Sequence, residues 1–277
     1  MFESLLITFR ETLEAALVVF IVLSYLKKIN KNKYNYVVYL GVGSALAVSL
    51  IGAWLFAKFA GGLVGTPEQI FEGTVMIIAA ILLTTMIVWM ARAKHVRHQI
   101  EASIDVELSD RHLAGLFAIA FTAVLREGVE TVLFLGAIQF RGAHHELLGS
   151  LLGIAIGIVF GYGVFYGARR LQLKTFFRIT SLLLIFFAAG LVGGGLHEFQ
   201  EAGWISFLTK EAWNISPAQL ADGSFPLLHE EGAIGSVLKG VFGYSGNPTI
   251  LQALAYLAYS AIAFFTYSKI GLKARSE

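Results

Sequence analysis

The chain has 277 residues, of which 56% are hydrophobic and only 14% charged, with a formal net charge of +2. Soluble domains carry roughly 25% charged residues, so the composition excludes an ordinary soluble domain and points to an integral membrane protein. The absence of cysteine excludes disulfides, thiolate metal sites and iron–sulfur clusters.

Crossing the hydrocarbon takes ~20 mostly apolar residues, and seven segments qualify, at roughly 4–26, 37–59, 69–91, 113–138, 147–168, 175–196 and 250–269. The first carries Arg10-Glu11-Thr12-Leu13-Glu14. Its leading Met-Phe-Glu-Ser lacks the positive region of a cleavable signal peptide, so this span is expected to remain in the mature protein. The third begins near Glu72, which is either a snorkelling interfacial carboxylate or a ligand at the mouth of a pathway. Residues 92–112 read as a polar, helical cytoplasmic segment. The fourth span repeats the charge cluster as Arg126-Glu127-Gly128-Val129-Glu130. Along the fifth, Gly149, Gly153, Gly157 and Gly161 recur every four residues, with Gly163 and Gly167 behind them; the spacing suits close helix packing or a sliding surface. The sixth ends in Gly193-Gly194-Gly195, and His197, Glu198 and Glu201 follow as either metal-capturing groups or solvated surface. Residues 197–249, with Trp204 and Trp213, read as interfacial elements rather than a separate domain. A second polar group there, His229, Glu230 and Glu231, admits the same two readings.

Of the 21 Lys and Arg, 15 fall after spans one, three, five and seven, and only Lys58, Arg141, Lys210 and Lys239 fall on the opposite side. The positive-inside rule then places the amino terminus outside and the carboxy terminus inside. Spans one and four carry the same cluster and run in opposite directions. The expected fold is therefore an all-α integral membrane protein with seven transmembrane helices, built as two inverted three-helix repeats plus a C-terminal helix. Residues 1–277 form one domain, with repeat one at about 4–91, repeat two at about 113–196, an external segment at 197–249 and the last span at 250–269.

A carboxylate at the centre of a bilayer costs at least ~2.5–3.5 kcal/mol even on lenient insertion scales. Two clusters of them are hard to explain unless something cationic passes between. Glu11 and Glu14, like Glu127 and Glu130, are three apart and share a helix face. At 1.5 Å per residue both pairs lie ~11–17 Å below the external surface, so antiparallel helices can bring four carboxylates to one level. Arg10 and Arg126 are each four residues from the second Glu of their cluster and can brace it. Four Glu and two Arg leave a formal charge near −2, suited to a hard di- or trivalent cation. An ion pair that only locks helices together leaves the second carboxylate of each cluster unexplained. None of the seven His falls in the middle of a span, which disfavours a haem held by paired axial His.

With these residues in view, the chain resembles the iron permease family of oxidase-linked iron transporters, and its bacterial ferrous-iron-uptake permeases most. The likeness rests on FRETLEAAL, LREGVETVLF, FEGTVMIIAAILLTTMIVWM, FFRITSLLLIFFAAGLVGGG, EAGW and GVFGYSGNP, and spans essentially the whole chain. It departs from the family pattern at Thr12, where Gly is usual, and at Val129, where Leu is usual. The resemblance implies that Glu11, Glu14, Glu127 and Glu130 carry iron, with Arg10 and Arg126 in support. It implies iron as transported substrate with no permanently bound cofactor, an inner-membrane location and no enzymatic activity. It further implies oxidation of the iron by a partner: in bacteria a periplasmic or lipoprotein iron-binding component and a haem peroxidase, in fungi a multicopper oxidase. The short termini favour the bacterial arrangement, and no nucleic-acid partner is expected. Glu72, His197, Glu198 and Glu201 are candidates for the pathway mouth. Alternatives are a carrier of another divalent cation such as Mn²⁺, a proton-coupled cation exchanger, a membrane-anchored oxidoreductase subunit and a purely structural scaffold.

Overall fold

The computed structural model describes residues 1–92, 113–141, 146–166, 173–215, 225–227, 229 and 232–276. Regular structure among them is helical: α1 (Phe2–Lys28), α2 (Asn35–Ala60), α3 (Thr66–Arg92), α4 (Leu113–Phe140), α5 (Glu146–Tyr166), α6 (Leu173–Glu201), α7 (Ala233–Phe242) and α8 (Ile250–Ser276). A single antiparallel bridge joins Glu211 to Thr249. All but α7 are 21 to 29 residues long, and at 1.5 Å per residue that is about 30 Å or more. Each segment expected to span a membrane falls on one of these long helices, the fifth as far as Tyr166, where its described residues end.

Among the described residues, four helical stretches are long and apolar enough to cross a membrane by length and composition: Asn32–Ala60, Thr66–Val88, Ile179–Glu201 and Ile250–Lys269. α1 and α4 differ from them by carrying three charged residues each at mid-helix, and the apolar run of α5, Leu147–Gly163, is shorter. Large apolar side chains such as Leu50, Val159 and Ile262 stand exposed on α2, α5 and α8. Exposed apolar surface this extensive suits contact with lipid and not with water.

α1 ends with Lys27 and Lys28, whose charge complements the helix dipole. Asn30 then takes φ +58°, and the Lys31 N–H donates to the Leu26 carbonyl at 2.8 Å, closing the helix with a left-handed cap. α6 runs on through Glu201, so His197, Glu198 and Glu201 belong to its last turn and not to the segment beyond it. Residues 93–112, Gly167, Arg169, Arg170, Glu230 and Glu231 lie outside the described residues, and with them most of the expected cytoplasmic segment.

α1 packs chiefly on α5, α2 on α4 and α3 on α6, while α1 and α4 cross each other. α8 lies against α6 and α3. One buried apolar cluster joins α1, α3, α4 and α6 through residues including Ile7, Met76, Phe134 and Leu184. A second joins α1, α2 and α4 through Val22, Leu26, Val38 and Leu116. The two clusters sit on either side of the charged residues, so the polar site is enclosed between apolar layers.

Candidate metal centre

The helix period puts Glu11 and Glu14 on one face of α1, and Glu127 and Glu130 on one face of α4. Where the two helices cross, single carboxylate oxygens of Glu11, Glu127 and Glu130 come within 4.8 Å of one another. These residues are 1%, 9% and 7% exposed. Oε2 of each is buried and receives no hydrogen bond. Two unit charges at such a separation repel by about 3–4 kcal/mol at an effective dielectric of ~20. Three carboxyl groups held this close, each with a buried oxygen that receives no hydrogen bond, form a site suited to a cation. All-oxygen donors favour a hard or borderline ion over a soft one.

Each arginine grips the carboxylate four residues on. Arg10 Nη2 lies 2.8 Å from Glu14 Oε1, and Arg126 Nε donates to Glu130 Oε1 at 2.8 Å. The two are otherwise unlike. Arg10 also donates to Glu11 at 3.3 Å and its side chain is 1% exposed. Arg126 stands 4.0 Å from Glu127 and its side chain is 48% exposed. Glu14 lies outside the group of three within 4.8 Å and contacts Arg10, while Glu127 and Glu130 stay within its electrostatic reach.

The flanking helices hold α1 and α4 in place. The glycine face of α5 seats on α1: a Cβ added at Gly157 would stand 2.9 Å from Thr12 Cβ and 3.0 Å from the Phe9 carbonyl. Thr8 donates to the Ser150 carbonyl across the same interface at 3.1 Å. On the other side, Gly128 of the second cluster lies against Ser49 of α2. The middle residue of each cluster is thus a contact with the supporting helix, and Thr12 is accommodated by the glycine opposite it.

One turn from Glu11 lies Ile7 and one turn from Glu130 lies Phe134, and both belong to the buried apolar cluster with Met76, Leu184 and Phe187. Beyond that layer opens a cavity of about 460 Å³ whose lining includes Met76, His197, Glu198, Glu201, Glu211, Arg141 and Lys239. His197 Nε2 lies 3.2 Å from Glu201 Oε1, as their spacing of four allows once the helix continues. Glu201 also accepts from Gln69 at 3.2 Å. Glu72 is not among the residues lining the cavity, but with Glu68 it stays within electrostatic reach of Glu198. His229 stacks on Phe225, 4.5 Å between ring centroids, and does not line the cavity.

Sequence reasoning missed Glu3, which is 8% exposed, and the basic wall of the cavity. Glu3 lies within electrostatic reach of Arg141 and Lys239, and Arg141 donates to the Lys239 carbonyl at 3.2 Å. One signal was available: Glu3 is two helical turns before Arg10, and so on the same face of α1. Nothing local marked Arg141 and Lys239, which meet through the segment between α6 and α8.

Compared with known proteins, residues 1–274 match the model of the Iron permease FTR1 family. The chain is 34% identical over 282 residues to the ferrous iron permease EfeU of Escherichia coli O6:K15:H31, an alignment covering 99% of each chain. It is 34% identical over 272 residues to EfeU of Yersinia pestis, covering 96% of this chain and 93% of that one. EfeU of Shigella sonnei is likewise 34% identical, over 97% and 95%. No solved structure matches the chain.

Proposed function

The chain belongs to the iron permease FTR1 family, and from that premise we propose that it carries iron across a membrane through the carboxylate site at the crossing of α1 and α4. The observation that carries this reading is the convergence of Glu11, Glu127 and Glu130 within 4.8 Å, buried and with oxygens to spare. Glu14 lies one turn away and belongs to the same path. The ion enters by the cavity beside His197, Glu198 and Glu201, with Glu72 within electrostatic reach of Glu198, and reaches the site when the apolar layer of Ile7, Met76 and Phe134 parts.

Seven helices span the membrane in this reading, with the amino terminus outside, the carboxy terminus inside and the cytoplasmic membrane as location. Helix pairing supports the inverted repeat. Exchanging α1–α3 with α4–α6 turns the α1–α5 pair into α4–α2 and maps α1–α4 and α3–α6 onto themselves, and all four pairings occur. Oxidation of the iron falls to partners, a periplasmic or lipoprotein iron-binding component and a haem peroxidase.

The test is uptake of radioactive Fe²⁺, Fe³⁺ and Mn²⁺ into proteoliposomes, each ion supplied separately and with or without an oxidant. Iron is expected to accumulate well above Mn²⁺; preferential Mn²⁺ uptake would replace this reading with a manganese carrier.

Two further outcomes follow from the geometry. Arg10→Lys is expected to cut uptake about tenfold or more, because the ammonium loses the planar fork that reaches both Glu11 and Glu14 from a buried position. Arg126→Lys, where the close contact is with Glu130 and Glu127 stands 4.0 Å away, is expected to stay within about threefold of normal. Equal losses in uptake assays of both would remove the asymmetry. The double variant Glu198→Gln/Glu201→Gln is expected to raise the iron concentration for half-maximal uptake severalfold while leaving the maximal rate unchanged, since a charged mouth raises local cation concentration without touching the transfer step. A fall in maximal rate alone would move these residues from the mouth into the path.

A further inference from the structure

We propose that the cation changes its third carboxylate in transit: Glu11 and Glu127 hold it throughout, Glu130 completes the site in the conformation seen here, and Glu14 completes it in the alternate one. The inference rests on the reading of the crossing as an iron path and of the two halves as inverted copies.

Three observations converge on it. The clustered carboxylates are Glu11, Glu127 and Glu130, with Glu14 left out. Under exchange of the repeats Glu11 becomes Glu127 and Glu130 becomes Glu14, so the observed trio turns into Glu127, Glu11 and Glu14. The pair common to both trios is Glu11 and Glu127. The exchanged ligands also lie at different depths. α4 runs toward Phe140 and Arg141 at the cavity, which puts Glu130 on the cavity side of Glu127. α1 begins near α7, whose Lys239 lines that cavity, which puts Glu14 on the far side of Glu11. Exchanging Glu130 for Glu14 therefore moves the ion away from the cavity.

The arginines break the symmetry in the same sense. Arg10 is sealed in and engages both carboxylates of its own cluster, whereas Arg126 is half exposed and closely engages one. Arg10 acts as a positioning residue: it holds Glu14 back while the trio is assembled and releases it when the halves exchange conformations. Inverted-repeat carriers move one repeat against the other around a fixed site, and here the site shares two ligands between its states.

The experiment measures iron binding to the purified full-length protein and uptake into proteoliposomes on the same preparations, using whichever of Fe²⁺ or Fe³⁺ the unaltered chain binds more tightly. Glu14→Gln is expected to keep affinity within about threefold yet lose uptake about tenfold or more, whereas Glu130→Gln loses about tenfold or more in both. Glu11→Gln and Glu127→Gln lose both as well. The double variant Arg10→Gln/Glu14→Gln removes both charges of the ion pair and is expected to bind at least as tightly as the unaltered protein, so weak binding by Glu14→Gln through misfolding is recognised by comparison. If Glu14→Gln and the double variant both lose affinity as Glu11→Gln does, or if Glu14→Gln transports normally, the exchange of ligands is wrong. If Glu11→Gln and Glu127→Gln both bind and transport normally, the carboxylate path itself is wrong.

Discussion

Gln in place of Glu11 or Glu127 is expected to abolish iron uptake while leaving the protein in the membrane. The two residues sit on opposite helices at the crossing, and each contributes a buried oxygen that no protein donor satisfies. Gln keeps the shape but presents a neutral amide, whose NH₂ repels a cation and whose carbonyl binds it more weakly than a carboxylate. Losing one charged contact is worth ~1.5–3 kcal/mol, which is about ten- to a hundredfold in affinity, and the lost charge balance adds to it. Folding is expected to survive in both cases. After Glu11→Gln, Arg10 keeps its 2.8 Å contact with Glu14, so no guanidinium is left buried without a counter-ion. After Glu127→Gln, Arg126 likewise keeps its 2.8 Å contact with Glu130. Initial uptake rates, normalised to the amount of protein in the membrane, check the prediction. Normal uptake in both variants would mean that iron passes elsewhere.

Leu in place of Gly157 is expected to lose iron binding and uptake together, with poor recovery from membranes. The α5 backbone comes so near α1 that even a methyl group at this position would stand 2.9 Å from Thr12 Cβ and 3.0 Å from the Phe9 carbonyl. Thr12 lies between Glu11 and Glu14, so whatever displaces it displaces the carboxylates. Overpacking typically costs ~1–3 kcal/mol for added methylenes, and an isobutyl group at a backbone-to-backbone contact exceeds what rotamer changes absorb. Gly157→Ala is the graded version. It is expected to weaken binding several-fold, and the further change Thr12→Gly is expected to restore part of the loss by removing the nearest atom. Thr12→Ala, which keeps Cβ, is expected not to. Equal recovery by Ala and Gly at position 12 would show that the contact is with the threonine methyl or hydroxyl rather than with Cβ. Loss of transport with binding intact in Gly157→Leu would instead make this face a sliding surface.

Much of this was readable from the chain before any coordinates. The membrane class follows from composition, and the long helices from runs of apolar residues that hydrocarbon admits only as helices or barrels. The ion pairs Arg10–Glu14 and Arg126–Glu130 follow from spacing, because residues four apart on a helix are neighbours whatever the tertiary structure. His197 and Glu201 obey the same rule, but their pairing depended on α6 continuing past its glycines, which spacing did not decide. Neither did it tell packing from sliding on α5, since a row of glycines describes the face and not its partner.

The sequence by itself determined which groups are available and which of them are neighbours within a helix, because the helical period converts residue number directly into angle and height. Only the tertiary structure decided that Glu11, Glu127 and Glu130 come within 4.8 Å of one another, that Arg10 is buried while Arg126 is half exposed, and that α5 braces α1 as α2 braces α4. It alone assembled the cavity, with its acidic wall from α6 and the Glu211 segment and its basic wall from Arg141 and Lys239. These facts depend on how far each helix is rotated about its axis and where two helices cross. Such quantities are set by the fit of many distant side chains at once, and a cluster of five residues repeated twice in a chain does not contain them.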